Sequence, residues 1–322
     1  MGRHRHRRWL VLEGSGHRRC RTWAMHVSRP APTFPHPFPF LKAPMNKIIR
    51  ALVSVTLVHL ASQPSRAEGA HHQGGTATVR GGQIQTQPWD DPAGSWRFRL
   101  FLSSLDSQAS YNADGQHVPN PSGGNFSNNS LNAFAEYALT SRWSVSALTS
   151  FQEIENRNDA TKESWSSIGD TYGWVRRTLD DVAGFTPALL FGIKIPGNYP
   201  AISGAGDAQV DGDVQALLTK RISNRSYLTG AVGYRLRLGE ISDEIPYGIH
   251  LGWSPAEKWT LIASANGARG IGSGIQKDYF NLGGSLQWSV NASWSMIGSY
   301  NRIISGRNTV DAKTWSLGIA YR

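Results

Sequence analysis

Beyond Ala67 the chain holds few side chains able to make or break a bond. His71, His72, His117 and His250 are the imidazoles there, and no cysteine follows Cys20. Nucleophilic catalysis needs a hydroxyl or thiol beside a positioned base. Neither Gly-x-Ser-x-Gly nor His-Glu-x-x-His occurs. His71-His72 sits in a polar stretch and reads as a tail rather than a metal site. Gly123-Gly124-Asn125-Phe126 reads as a loop and not a phosphate cradle, because no helix follows it. No enzyme activity, cofactor or metal is therefore expected. The chemistry that remains is charge and aromatic surface set into otherwise apolar segments, which is the chemistry of a solute filter.

Segments of period two hold those charges. Trp96, Phe98, Leu100 and Leu102 alternate with Arg97, Arg99, Phe101 and Ser103. Leu228, Val232, Tyr234, Leu236 and Leu238 share one parity, opposite Thr229, Arg235 and Arg237. Ile245 to Trp253, Phe280 to Trp288 and Trp315 to Tyr321 repeat the pattern. Such alternation is a strand with two unlike faces, and about 9–11 residues suffice to cross a bilayer at a tilt. About twelve segments appear, near 95–105, 131–139, 143–153, 166–179, 185–196, 208–221, 226–238, 245–254, 259–268, 278–289, 293–304 and 313–322. The expected fold is all-β, a closed antiparallel up-and-down transmembrane β-barrel over 95–322, after a polar segment at 68–94. A soluble β-sandwich also alternates, but its short and long loops need not.

Here they do alternate. Short connections fall at Thr140–Arg142, Asp180–Gly184, Ser223–Arg225, Pro255–Lys258 and Val290–Ala292. Longer polar stretches such as Asp106–Ser130, Glu155–Trp165 and Gly197–Asp207 lie between them. One short rim and one long rim is the outer-membrane arrangement, with the short rim periplasmic. Trp143, Tyr227, Trp259 and Trp294 each follow a short turn and are expected to form an aromatic girdle there.

If the apolar parity faces lipid, the other faces the lumen. That places Arg97, Arg99, Lys194, Arg235, Arg237, His250, Asn281, Gln287 and Asn301 inside. A Lys or Arg on the lipid face costs about 2–4 kcal/mol at the midplane. On that ground Asp170 and Arg176 turn inward and take Tyr172 and Trp174 with them, while Asp211, Asp213 and Gln215 turn inward on the segment 208–221. Hairpin register then sets Asp170 opposite Lys194, and Asp211 opposite Arg235. Such pairs could form a charged constriction, or simply salt bridges that hold the wall and close the lumen.

The overall charge of +10 points elsewhere only at first sight. Residues 1–44 contribute eight Arg and one Lys against Glu13, and 45–67 add Lys47, Arg50 and Arg66. The remainder is near neutral, so no nucleic-acid partner is expected. Met45 to Arg50 is a basic n-region and Ala51–Ala61 an apolar h-region. Ser65-Arg66-Ala67 offers small residues before a cleavage site at Ala67-Glu68. Residues 45–67 are thus expected to be a secretory signal, and 1–44, with six prolines between Pro30 and Pro44, an untranslated stretch read from too early a start. N-terminal sequencing of membrane-extracted protein should begin at or close to Glu68. Peptides from 1–44 in that material would contradict it.

From Ile168 to Arg322 the chain resembles the outer-membrane barrel family named for the MetA pathway of phenol degradation. Ile168-Gly169-Asp170, Phe191-Gly192-Ile193-Lys194-Ile195-Pro196, Gly204-Ala205-Gly206-Asp207, Gly233-Tyr234-Arg235 and Gly248-Ile249-His250-Leu251-Gly252-Trp253 carry that resemblance. Many such barrels end in Phe, whereas this chain ends Tyr321-Arg322. The resemblance implies a transporter-like barrel for small, often aromatic or apolar solutes. The expected partners are outer-membrane lipid, the barrel-assembly machinery with periplasmic chaperones, and a small organic solute. The alternative is a structural or adhesive barrel with a closed lumen.

Overall fold

In the computed structural model, residues 92–120, 124–157, 162–198, 209–239 and 241–322 are described. The proposed signal, its Ala67-Glu68 cleavage site, residues 1–44 and most of 68–94 lie outside them.

Among the described residues every regular element is a strand. The wall runs β1 (Trp96–Ser107), β4 (Asn125–Ala138), β5 (Trp143–Arg157), then β6 (Lys162–Ile168) with β7 (Thr171–Thr178). It continues through β8 (Phe185–Ile195), β9 (Asp211–Ser223), β10 (Ser226–Arg237), β11 (Asp243–Ala256) and β12 (Trp259–Ile271). β13 (Asp278–Ser289), β14 (Trp294–Arg307) and β16 (Lys313–Tyr321) complete it. Each strand pairs antiparallel with the next, and β1 pairs with both β4 and β16, which closes the sheet. Counting β6 and β7 as one interrupted strand, the wall is a closed twelve-stranded antiparallel barrel. Closure leaves no unpaired edge, the condition for β-structure in hydrocarbon.

Short polar side chains shape the tight rim. Thr140 Oγ1 accepts the N–H groups of Arg142 and Trp143 at 3.1 and 3.0 Å. Asn291 Oδ1 does the same for Ser293 and Trp294 at 2.9 and 2.8 Å. Side chains that hydrogen-bond their own backbone two or three residues on make tight turns without a long loop. The β7–β8 turn uses Gly184 at φ +78°, a left-handed conformation that glycine adopts without strain.

On the long rim the strands overrun the expected loops. The stretch Asp106–Ser130 contains the end of β1, two short strands β2 (Ala109–Tyr111) and β3 (His117–Pro119), and the first part of β4. Likewise β5 extends to Arg157 and β6 begins at Lys162, inside the supposed Glu155–Trp165 loop. The outward positions there are Asn125, Ser127, Asn129, Glu153 and Glu155. The ladder continues after the apolar parity has ended, so alternation of hydropathy stops short of the strand. β2 pairs on one side with β3 and on the other with β15 (Thr309–Val310), forming a small separate sheet.

The break between β6 and β7 has a local cause. The chain after β8 docks against it, with Ile168 donating its N–H to Asn198 Oδ1 at 2.9 Å and Asn198 returning one to the Ile168 carbonyl at 3.2 Å. A Cβ at Gly197 would lie 2.0 Å from the Ile168 carbonyl oxygen, so only glycine allows this approach.

Candidate functional site in the barrel interior

The inward face is stratified. Near the short rim Glu136 faces Arg97 across β4 and β1, with Nη1 to Oε2 at 3.4 Å. Its other oxygen meets Arg176 at 3.2 Å and accepts the Ser144 hydroxyl at 2.8 Å. Arg99 lies above this group with its guanidinium 5.4 Å from the Phe134 ring centre.

An apolar layer follows on β4, β5 and β7 to β10. Phe134, Leu148, Trp174, Ala188, Leu190, Leu217 and Ala231 pack together, joined by Phe101 and Tyr172. Tyr172 and Trp174 stack at 5.4 Å and 3°. Trp174 lies flat against Gly192, where a Cβ would meet its ring at 2.5 Å.

Above that layer is the second charged group. Lys194 Nζ is 2.8 Å from Asp211 and 3.8 Å from Asp170. Glu244 takes Arg235 on one oxygen and Arg237 on the other, each at 2.6 Å. Asp213 sits 3.8 Å from Arg235 and accepts the Gln215 amide at 2.6 Å.

The other wall is built from small polar groups. Register aligns Ser130, Ser103, Ser316, Ser299 and Ser285 in one row across five strands, and the Ser103 and Ser316 hydroxyls are 2.9 Å apart. His250 lies between Thr229 and Ser264. Asn281 donates to Asn266 at 3.4 Å, Gln287 donates to Ser295 at 3.1 Å, and Asn301 folds over Gly283.

The long-rim mouth is partly filled on the β1, β4, β5 and β14 side. Tyr111 and Ala312 are buried with Leu105, Phe126, Ile154 and Ile303, and Trp165, Tyr279 and Val310 pack against them. His117 and Arg302 both reach Asp311, at 3.0 and 3.4 Å, and the Asp311 N–H donates to the Ala109 carbonyl at 2.9 Å. These bonds tie the small sheet to the wall.

All sixteen residues assigned inward from the sequence lie on this inner face, but two of their pairings need correction. The β9–β10 turn is Asn224–Arg225, between the paired Ser223 and Ser226, which lies further along the chain than the expected register needs. With the bulge between Ser226 and Tyr227 included, Arg235 stands opposite Asp213 and Arg237 opposite Asp211. Asp211 pairs instead with Lys194, its partner across β8. In the β7–β8 hairpin Lys194 stands opposite Tyr172, which leaves Asp170 a diagonal neighbour. Sequence reasoning missed Glu136 and Glu244, the two carboxylates around which the networks form. Glu244 fell just before the segment placed at 245–254, yet the strand begins at Asp243.

The girdle also needs correcting. Tyr227 shares its parity with Thr229 and Arg235, is 6% exposed, and packs over Gly252 inside the barrel. An aromatic just after a turn is no guide to which face it takes. Trp143, Trp259 and Trp294 face outward near the short turns, with Trp96, Tyr137, Trp288 and Tyr321 beside them.

No protein-family model and no curated protein sequence matches the chain. Solved structures do. A crystal structure of an outer membrane channel from Pseudomonas putida F1 superposes with a TM-score of 0.62 at 15% identity, covering 74% of this chain and 99% of that one. The KdgM porin in complex with disordered oligogalacturonate gives 0.48 at 6%, covering 70% and 98%. The CymD monoaromatic hydrocarbon channel gives 0.44 at 9%, covering 72% and 89%. The first establishes a shared outer-membrane barrel fold, and identity so low speaks for architecture rather than cargo.

Proposed function

We propose that the mature chain is an outer-membrane channel or transporter for small organic solutes that carry both an apolar face and a polar group. One observation carries this reading: the interior is two-sided. Aromatic and aliphatic side chains fill one wall at mid-height, and a row of serines with neighbouring amides lines the other. A uniformly water-filled pore has no use for buried Trp174, Leu190 and Leu217, and a purely structural core has no use for the serine row. Apolar contact with a few placed polar groups is the composition of small-molecule sites. The resemblance to phenol-pathway barrels fits an aromatic solute. Export by a signal at residues 45–67 and seating by the barrel-assembly machinery complete the reading.

The second reading, a closed barrel without transport, is favoured by the Tyr111 cluster at the mouth and by the paired interior charges. Reconstitution separates the two. Phenyl glucoside should swell proteoliposomes faster than methyl glucoside, although it is the larger solute, and planar bilayers should show discrete conductance steps. No steps and no swelling with either sugar would leave the closed barrel.

A further inference from the structure

The short rim carries cations on its lipid side. Arg142 is held by Asp180, and Asp181 accepts the Thr186 hydroxyl at 2.6 Å. Arg177 and Lys220 are placed differently. Strand parity turns both outward and exposed, beside Val175 and Leu218. A cation facing lipid is tolerated only near the interface. Aromatic rings fix that depth: the Arg177 guanidinium lies 5.3 Å from the Trp143 ring centre, and Lys220 Nζ lies 4.8 Å from that of Phe185. Register puts Arg177 opposite Leu189 and Lys220 opposite Phe185, so the two cations flank one stretch of β8. Among the described residues no carboxylate pairs with either.

We propose that Arg177 and Lys220, seated on Trp143 and Phe185, form a docking surface for anionic phospholipid headgroups in the leaflet at the short rim. The surface faces hydrocarbon just below it and headgroups at its own level, so a lipid phosphodiester is the anion that reaches it. Zwitterionic lipids bring their own ammonium group and gain less. This rests on the barrel being seated in a bilayer.

The test uses the mature chain refolded into vesicles of phosphatidylcholine, with and without phosphatidylglycerol. Insertion is read from protease protection, and retained lipid by native mass spectrometry after detergent extraction. The wild type should retain phosphatidylglycerol in preference to phosphatidylcholine and unfold at a higher temperature in the mixed vesicles, with both effects fading in high salt. Each basic residue near an anionic surface is worth about five-fold in affinity. Arg177→Gln combined with Lys220→Gln should therefore lose most of the preference, while Arg177→Lys keeps most of it. Equal phosphatidylglycerol retention by an inserted double variant overturns the docking surface alone. A wild-type chain that inserts into neither vesicle overturns the bilayer reading beneath it.

Discussion

Trp174→Ala should open the barrel and weaken it together. Its indole is 4% exposed, stacks on Tyr172 and fills the space left by Gly192, so it spans the apolar layer from β7 toward β8. Large-to-small substitution in a packed core removes transfer free energy and leaves a cavity, at about 3–5 kcal/mol for a tryptophan. Here the cavity would join the lumen, so the same change should raise single-channel conductance. The preference for phenyl over methyl glucoside should fall, because the aromatic wall has lost its largest surface. Trp174→Phe should keep most of both stability and preference. Unfolding in detergent and bilayer recordings on the same preparations check this. A large stability loss with unchanged conductance would mean that another constriction, such as the Tyr111 cluster, limits flow.

Much of the architecture was legible in the sequence because a barrel in lipid obeys one strong rule. Outward positions must be apolar at membrane depth, so period-two alternation marks the strands and their inward residues. The rule fails where membrane depth ends. The first part of β4 has outward Asn125, Ser127 and Asn129, and it read as loop although its ladder is unbroken. It also fails where the interior is itself apolar. Phe134, Leu148, Leu190 and Leu217 face inward against the rule, and only the convergence of several strands reveals them as one layer. Register was the third limit. The β9–β10 turn at Asn224–Arg225 sits about one residue later than the expected centre, which moves every partner by two, and no hydropathy pattern fixes a turn centre or a bulge that closely. The charged residues could thus be assigned to a face, but their partners could not be named.

Glu244→Gln is expected to be among the most damaging single charge changes, and its effect reports how dry the interior is. Glu244 is 1% exposed and takes Arg235 and Arg237 on separate oxygens at 2.6 Å. Neutralising it removes the 2.6 Å carboxylate partner from both buried guanidiniums, while Asp213 lies further off, 3.8 Å from Arg235. Breaking a buried pair by removing one partner costs about 3–5 kcal/mol in a dry site, whereas screening by water brings such losses toward about 0–1 kcal/mol. The apolar layer below this network and the packed mouth beside it argue for the drier end. Adding Arg237→Gln should then restore part of the loss, because it removes one of the two cations that Glu244 held. By contrast, Asp211→Asn with Arg235→Gln should come closer to additivity, since Asp211 pairs with Lys194 and Arg235 with Asp213 and Glu244. Denaturant unfolding of both double-mutant cycles in one lipid measures the two couplings directly. Stronger coupling for Asp211 and Arg235 than for Glu244 and Arg237 would contradict the β9–β10 register and the charge network built on it.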